Sequence, residues 1–132
     1  MNEMQRKVRE FHEVFHHPVR DVPQATSIDE WDLRAELIFE ELKEYEDACA
    51  RGDVVEIADA LGDLLYVVFG TAVAHGINLE PVFREIHRSN MSKLDENGEP
   101  VPHPTVPGKI GKSSRYTPPQ LEEILEAQGY EG

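Results

Sequence analysis

Between Arg51 and Val54 the sequence leaves room for a turn and nothing else, and the segments on either side both read as long helices. On the N-terminal side, "SIDE" offers Ser27 as an N-cap with Glu30 three residues on, a capping box, and the helix it opens runs to about Ala50 and stops at Gly52. On the C-terminal side Asp53 is the cap and Glu56 stands at the third helical position; this helix runs to about His75, with Gly76 as its stop. Two helices joined by one or two residues must fold back as an antiparallel hairpin.

The other segments attach to that hairpin. Val8, Phe11, Val14 and Phe15 form one helical stripe over Glu3 to His16, followed by a loop broken at Pro18 and Pro23. "NLEPVFREIHRSNMSKL" reads as a fourth helix, with Asn78 as cap and Pro81 in the first turn, where a missing N–H costs nothing. Residues 95–117 lack periodicity, and "TPPQLEEILEAQG" closes the chain as a short helix capped by Thr117 and stopped by Gly129. No segment alternates with the period of a half-buried strand. The expectation is an all-α helical bundle, one domain over residues 1–132.

The formal charge is −13, from 13 Lys and Arg against 26 Asp and Glu, which argues against a nucleic-acid partner and for a cation. The single cysteine, Cys49, fits a reducing compartment, so the cytoplasm is the default. The N-terminal residues are too polar for a signal peptide, and the apolar run from Leu64 to Ala74 is shorter than the roughly 20 residues that span a bilayer; no membrane partner is expected. The third helix is apolar on more faces than one short chain covers, which predicts a homodimer or homotetramer.

The hairpin carries more acid than a core-facing segment normally does. Residues three or four apart share a helix face, so Glu41 and Glu44 point one way on the second helix, as do Glu56, Asp59 and Asp63 on the third. Glu44 lies eight positions before Gly52 and Asp59 seven after it, so the turn sets them at nearly one height. Five converging carboxylates repel unless a cation neutralises them, and oxygen donors suit Mg2+ or Mn2+. Such a centre binds phosphate oxygens and activates water. The competing readings are a capping role for Glu56 and solvated surface acids elsewhere. Asp63, inside "ALGDLLYVVF", resists both.

"EELKE", followed after the turn by the acidic cluster of "EIADALGDLLYVV", resembles the paired EExxE and ExxD signature of the all-α, MazG-like nucleoside triphosphate pyrophosphohydrolases. "IHRSNMSKLDENGEP" and "GKIGKSSRYTPPQL" are similar to the phosphoribosyl-ATP pyrophosphohydrolase-like branch, which stands near the dimeric dUTPases. The resemblance implies Mg2+-dependent cleavage of a nucleoside triphosphate between the α and β phosphates. It implies Glu41 and Glu44 as metal ligands and Glu40, with Glu41, in water activation. On the third helix, literal spacing selects Glu56 and Asp59, whereas the position directly before the "LLY" run selects Asp63, with Ala60 where a glutamate would stand. It further implies that Asn90 and Lys93 hold sugar or phosphate, and that the "GK" loop, with Lys109, Lys112 and Tyr116, closes over the ligand. Homo-oligomers are the family habit.

Phosphate charge calls for side-chain cations, and the sequence offers Arg34, seven residues before Glu41 on the same face, besides Lys93, Lys109, Lys112 and Arg115. Phe11, Phe15 and Trp31 read first as core and second as surfaces for a base. The rivals to a housecleaning triphosphate hydrolase are a phosphoribosyl-ATP pyrophosphohydrolase of histidine biosynthesis and a non-catalytic acidic helical binding module.

Overall fold

The computed structural model describes residues 1–132 and is all-helical: α1 Glu3–Val14, α2 Ile28–Arg51, α3 Val54–His75, α4 Leu79–Met91 and α5 Glu122–Glu126. The one β-type pairing is an isolated antiparallel bridge between Pro102 and Ile110. Length alone leads to the expectation of a single 1–132 unit; the chain divides into two compact units, Met1–Leu79 with Gln128–Gly132, and Glu80–Ala127.

In the first unit the helix ends fall where the caps set them. The Asn2 side chain accepts from the Gln5 N–H at 2.7 Å, Ser27 accepts from the Glu30 N–H, and Asp53 from the Glu56 N–H at 3.1 Å. Both expected capping boxes are only half formed. The Glu30 carboxylate instead takes a two-pronged pair from Arg20 at 2.7 and 2.8 Å, and the Asp53 N–H donates to the Ala48 carbonyl at 3.1 Å, so neither glutamate closes its box. Gly52 (φ 66°) and Gly76 (φ 74°) end α2 and α3 in the left-handed region that glycine enters without strain.

α3 packs against both α1 and α2. The buried apolar side chains are few and mostly small: Val8, Ala48, Ala60, Phe69, Ala72, Val73 and Ala74. Small residues let helices approach closely, but they leave the larger apolar groups outside; Phe39 is 65% exposed, Leu61 49% and Leu65 45%. By length and composition alone the whole of α3, Val54–His75, could cross a membrane. It packs against α1 and α2 and carries Asp59 and Asp63, charges that a lipid-facing helix seldom holds.

In the second unit, α4 and the irregular segment after it are stitched by hydroxyls. Buried Ser89 donates to the Thr117 carbonyl at 2.8 Å, and Ser113 donates to the Leu94 carbonyl at 2.7 Å. Thr117 does not cap the last helix. Its hydroxyl accepts from Arg88 at 2.6 Å and its N–H donates to Ser92 at 3.0 Å, so α5 begins only after Leu121 and has no side-chain cap. Glu85 accepts from Arg88 and from the Gln120 N–H, and these contacts, Arg88 foremost, hold its carboxyl down at about 2.

Candidate metal centre

The hairpin brings the two acidic stretches together. Glu41 and Glu44 of α2 and Asp63 of α3 each offer a carboxylate oxygen within 4.8 Å of the others, a group that could hold a metal ion. Asp59, one turn before Asp63, adds its charge to both Glu41 and Asp63. Glu44, Asp47, Arg51, Glu56, Asp59 and Ala60 line a 120 Å³ cleft towards the turn. Asp63 therefore joins the tight group, while Glu56 and Asp59 sit along its margin nearer Gly52.

The electrostatics follow from crowding. Burial, then the adjoining Glu44 carboxylate, then the charges of Asp63 and Asp59 push the Glu41 carboxyl up to about 7. Asp63 is raised too, by burial and then by Asp59 and Glu44. As a residue Asp63 is exposed, so the two neighbouring charges are the firmer part of its shift. Glu41 Oε2 is buried without a hydrogen-bond partner. A buried anionic oxygen left unpaired is costly, and two more carboxylates beside it raise that cost. A hard divalent cation removes both penalties at once, so this donor set fits Mg2+ or Mn2+.

The remaining expected site residues fall elsewhere. Glu40 is exposed beside Ala35, Glu36 and Phe39 in a shallow apolar hollow, outside the close group. Arg34 faces α3 as expected, but it is buried rather than presented to solvent: its Nε donates to Thr71 Oγ1 at 3.1 Å and its Nη2 to the Val67 carbonyl at 2.9 Å. Expected to grip phosphate, it spends these hydrogen bonds inside the fold. Asn90, Lys93, Lys109, Lys112 and Tyr116 all belong to the second unit. There Lys112 Nζ stands 4.8 Å over the Tyr116 ring, the Lys93 carbonyl accepts from the Ser113 N–H, and the Lys109 carbonyl accepts from the His103 N–H.

Phe11 of α1 and Phe15, just past its end, are not core. Phe11 and Phe15 are 36% and 58% exposed and stack at 4.3 Å, with Tyr66 edge-on to Phe11 at 5.6 Å. Tyr66 is three residues past Asp63 on α3. Helical spacing put Phe11 and Phe15 on one face, but only the packing reveals that this face stays open.

Comparison with known proteins gives the family. The phosphoribosyl-ATP pyrophosphohydrolase family model matches residues 8–90, a span that contains the whole hairpin. Protein L479 of Acanthamoeba polyphaga mimivirus, itself uncharacterized, is 38% identical over 97 residues; the match covers 70% of this chain and 36% of that protein, so this chain spans about a third of its relative's length. A crystal structure from Exiguobacterium sp. 255-15, proposed to be an NTP pyrophosphohydrolase, is 27% identical, with a TM-score of 0.47 over 97% of this chain and 94% of that one. With both acidic stretches inside the matched span, the chain belongs to the phosphoribosyl-ATP pyrophosphohydrolase family, a MazG-like all-α group of pyrophosphohydrolases.

Proposed function

We propose that the chain hydrolyses a nucleoside or deoxynucleoside triphosphate between its α and β phosphates, releasing the monophosphate and pyrophosphate, with Mg2+ held by Glu41, Glu44 and Asp63. One observation carries this reading: Glu41, Glu44 and Asp63 offer carboxylate oxygens within 4.8 Å of one another, with Glu41 Oε2 buried and without a hydrogen-bond partner. When bound, magnesium supplies charge neutralisation for the phosphates and acidifies water. Glu41, the most crowded of the three, carries the buried Oε2, which is the oxygen placed to hold the cation or orient a water beside it. Asp59 and Glu56 keep the margin of the group acidic and favour cation entry.

The exposed Phe11–Phe15 stack, with Tyr66 one turn from Asp63, offers a flat apolar surface for a base. Asn90, Lys93, Lys109, Lys112 and Tyr116 are the proposed contacts to sugar and phosphate. We further read the protein as a cytoplasmic homodimer or homotetramer that uses neither membrane nor nucleic acid, and its role as clearance of unwanted nucleotides. A second reading, hydrolysis of phosphoribosyl-ATP, is favoured by the family description.

Pyrophosphate release from a panel of canonical and deoxy nucleoside triphosphates and phosphoribosyl-ATP, with Mg2+, tests both. Loss of at least 100-fold in Glu41→Gln and Asp63→Asn is expected, on the scale of a removed metal ligand or proton acceptor. Turnover that survives Asp63→Asn moves the metal to Glu56 and Asp59. No turnover on any compound leaves the acidic binding module.

A further inference from the structure

Arg34 is a cation with 8% of its surface exposed, and no carboxylate pairs with it. A buried unpaired charge is expensive, and burial lowers the proton affinity of this guanidinium. A leucine or methionine would fill the same space at less cost, so the position calls for something that only the guanidinium fork supplies. That is a pair of directional hydrogen bonds to fixed points on the neighbouring helix.

Both points lie on one turn of α3. Nη2 donates to the Val67 carbonyl at 2.9 Å, and Nε donates to Thr71 Oγ1 at 3.1 Å; the Thr71 hydroxyl in turn donates to the Val67 carbonyl at 2.8 Å. Three bonds thus close a small ring that fixes both the height of α2 along α3 and the rotation of α3 about its axis. Gly70 makes room for it. A Cβ there would collide with Arg34 Nη2 and lie 2.8 Å from His12 Nε2, so any larger residue would push the guanidinium and the imidazole from their places. His12 is fixed in turn, because its Nδ1–H donates to the Pro18 carbonyl at 2.8 Å.

The antiparallel register links this ring to the carboxylates. Seven residues forward along α2 from Arg34 is Glu41, and eight back along α3 from Thr71 is Asp63. Seven residues is about two helical turns and brings Glu41 back to the face of Arg34, while Asp63 lies one turn before Val67 and two turns before Gly70, on the side of α3 that carries the ring. Helices are stiff over so short a length, so a slip at Arg34 passes undiminished to the gap between Glu41 and Asp63. Resting on the metal reading above, we propose that Arg34, seated over Gly70, is a positioning residue that sets the register at which α2 and α3 present Glu41, Glu44 and Asp63 to the metal.

The test uses Mn2+ binding without nucleotide, read from the electron paramagnetic resonance of free Mn2+, beside thermal unfolding in chelator. Wild type is compared with Arg34→Lys, Arg34→Gln and Thr71→Val. Gln5→Ala serves as control, since it deletes two hydrogen bonds from α1 to Ile77 and Leu79, away from the carboxylates. The Arg34 variants should weaken Mn2+ binding roughly tenfold or more, the scale of lost outer-shell support, with a smaller effect in Thr71→Val. Gln5→Ala should lower the unfolding temperature yet bind Mn2+ as wild type does. If Arg34→Gln does not fold, Arg34→Lys and Thr71→Val carry the comparison. Variants that lose stability but bind Mn2+ normally would overturn the proposal. Failure of wild type to bind Mn2+ would instead overturn the metal reading on which it stands.

Discussion

Glu41 holds its proton to about pH 7 in the folded chain, against 4.5 for an ordinary glutamate. Between those values the folded state binds more protons than the unfolded one, so metal-free stability should fall as pH rises through that window and level off above it. Mg2+ binds the deprotonated form, so it should raise the unfolding temperature at pH 7.5 and have little effect at pH 5. Thermal scans of wild type and Glu41→Gln, with chelator or Mg2+, check this; the variant should show a flatter pH dependence and a weak Mg2+ response. If wild type unfolds at the same temperature from pH 5 to 7.5 in chelator, the shift does not exist. At this scale the sequence was partly legible. The face shared by Glu41 and Glu44 could be read from spacing alone. The choice among Glu56, Asp59 and Asp63 could not, because all three lie within one broad face and the rotation of α3 selects among them. The burial of Arg34 was not legible for a related reason: spacing gives the direction of a side chain, but not how closely the opposite helix encloses it.

The helices themselves were legible because their ends are written in short-range chemistry. Ser27, Gly52, Asp53 and Gly76 each act within one turn of their own position. α5 was not, since five residues with no side-chain cap are held by what surrounds them, and the Thr117 hydroxyl goes to Arg88. The two helix-ending glycines predict different costs. A Cβ at Gly52 meets nothing within 4 Å, so Gly52→Ala pays only for its left-handed backbone, about 1 kcal/mol. At Gly76 the Cβ would run into the Val22 backbone as well. Gly76→Ala should therefore cost at least twice as much in urea unfolding. Equal losses would mean that the Val22 loop yields freely.

The whole molecule leaves much of its apolar surface uncovered. Met4, Lys7, Val8, Gly62, Leu65, Tyr66 and Phe69 line a 250 Å³ groove along α1 and α3, and Leu61 lies exposed on α3 as well. Against the acidic net charge of −13, which disfavours association, this surface predicts a self-associated protein at micromolar concentration. Sedimentation velocity should give a dimer or larger, and Leu65→Glu should shift it to monomer with unchanged helical circular dichroism. A wild type that sediments at 15.0 kDa would remove the expectation of an oligomer. The Gln128 side chain, finally, brackets one residue of the backbone: it accepts from the Asn78 N–H at 2.8 Å and donates to the Asn78 carbonyl at 3.0 Å. The outgoing and returning stretches of chain are thus clasped together inside the first unit. Residues 80–127 are in topological terms an excursion with its mouth already tied shut, so the entropy of closing that loop is borne by the part of the protein that carries the carboxylates. Such an excursion can change in length without altering how the acidic hairpin closes.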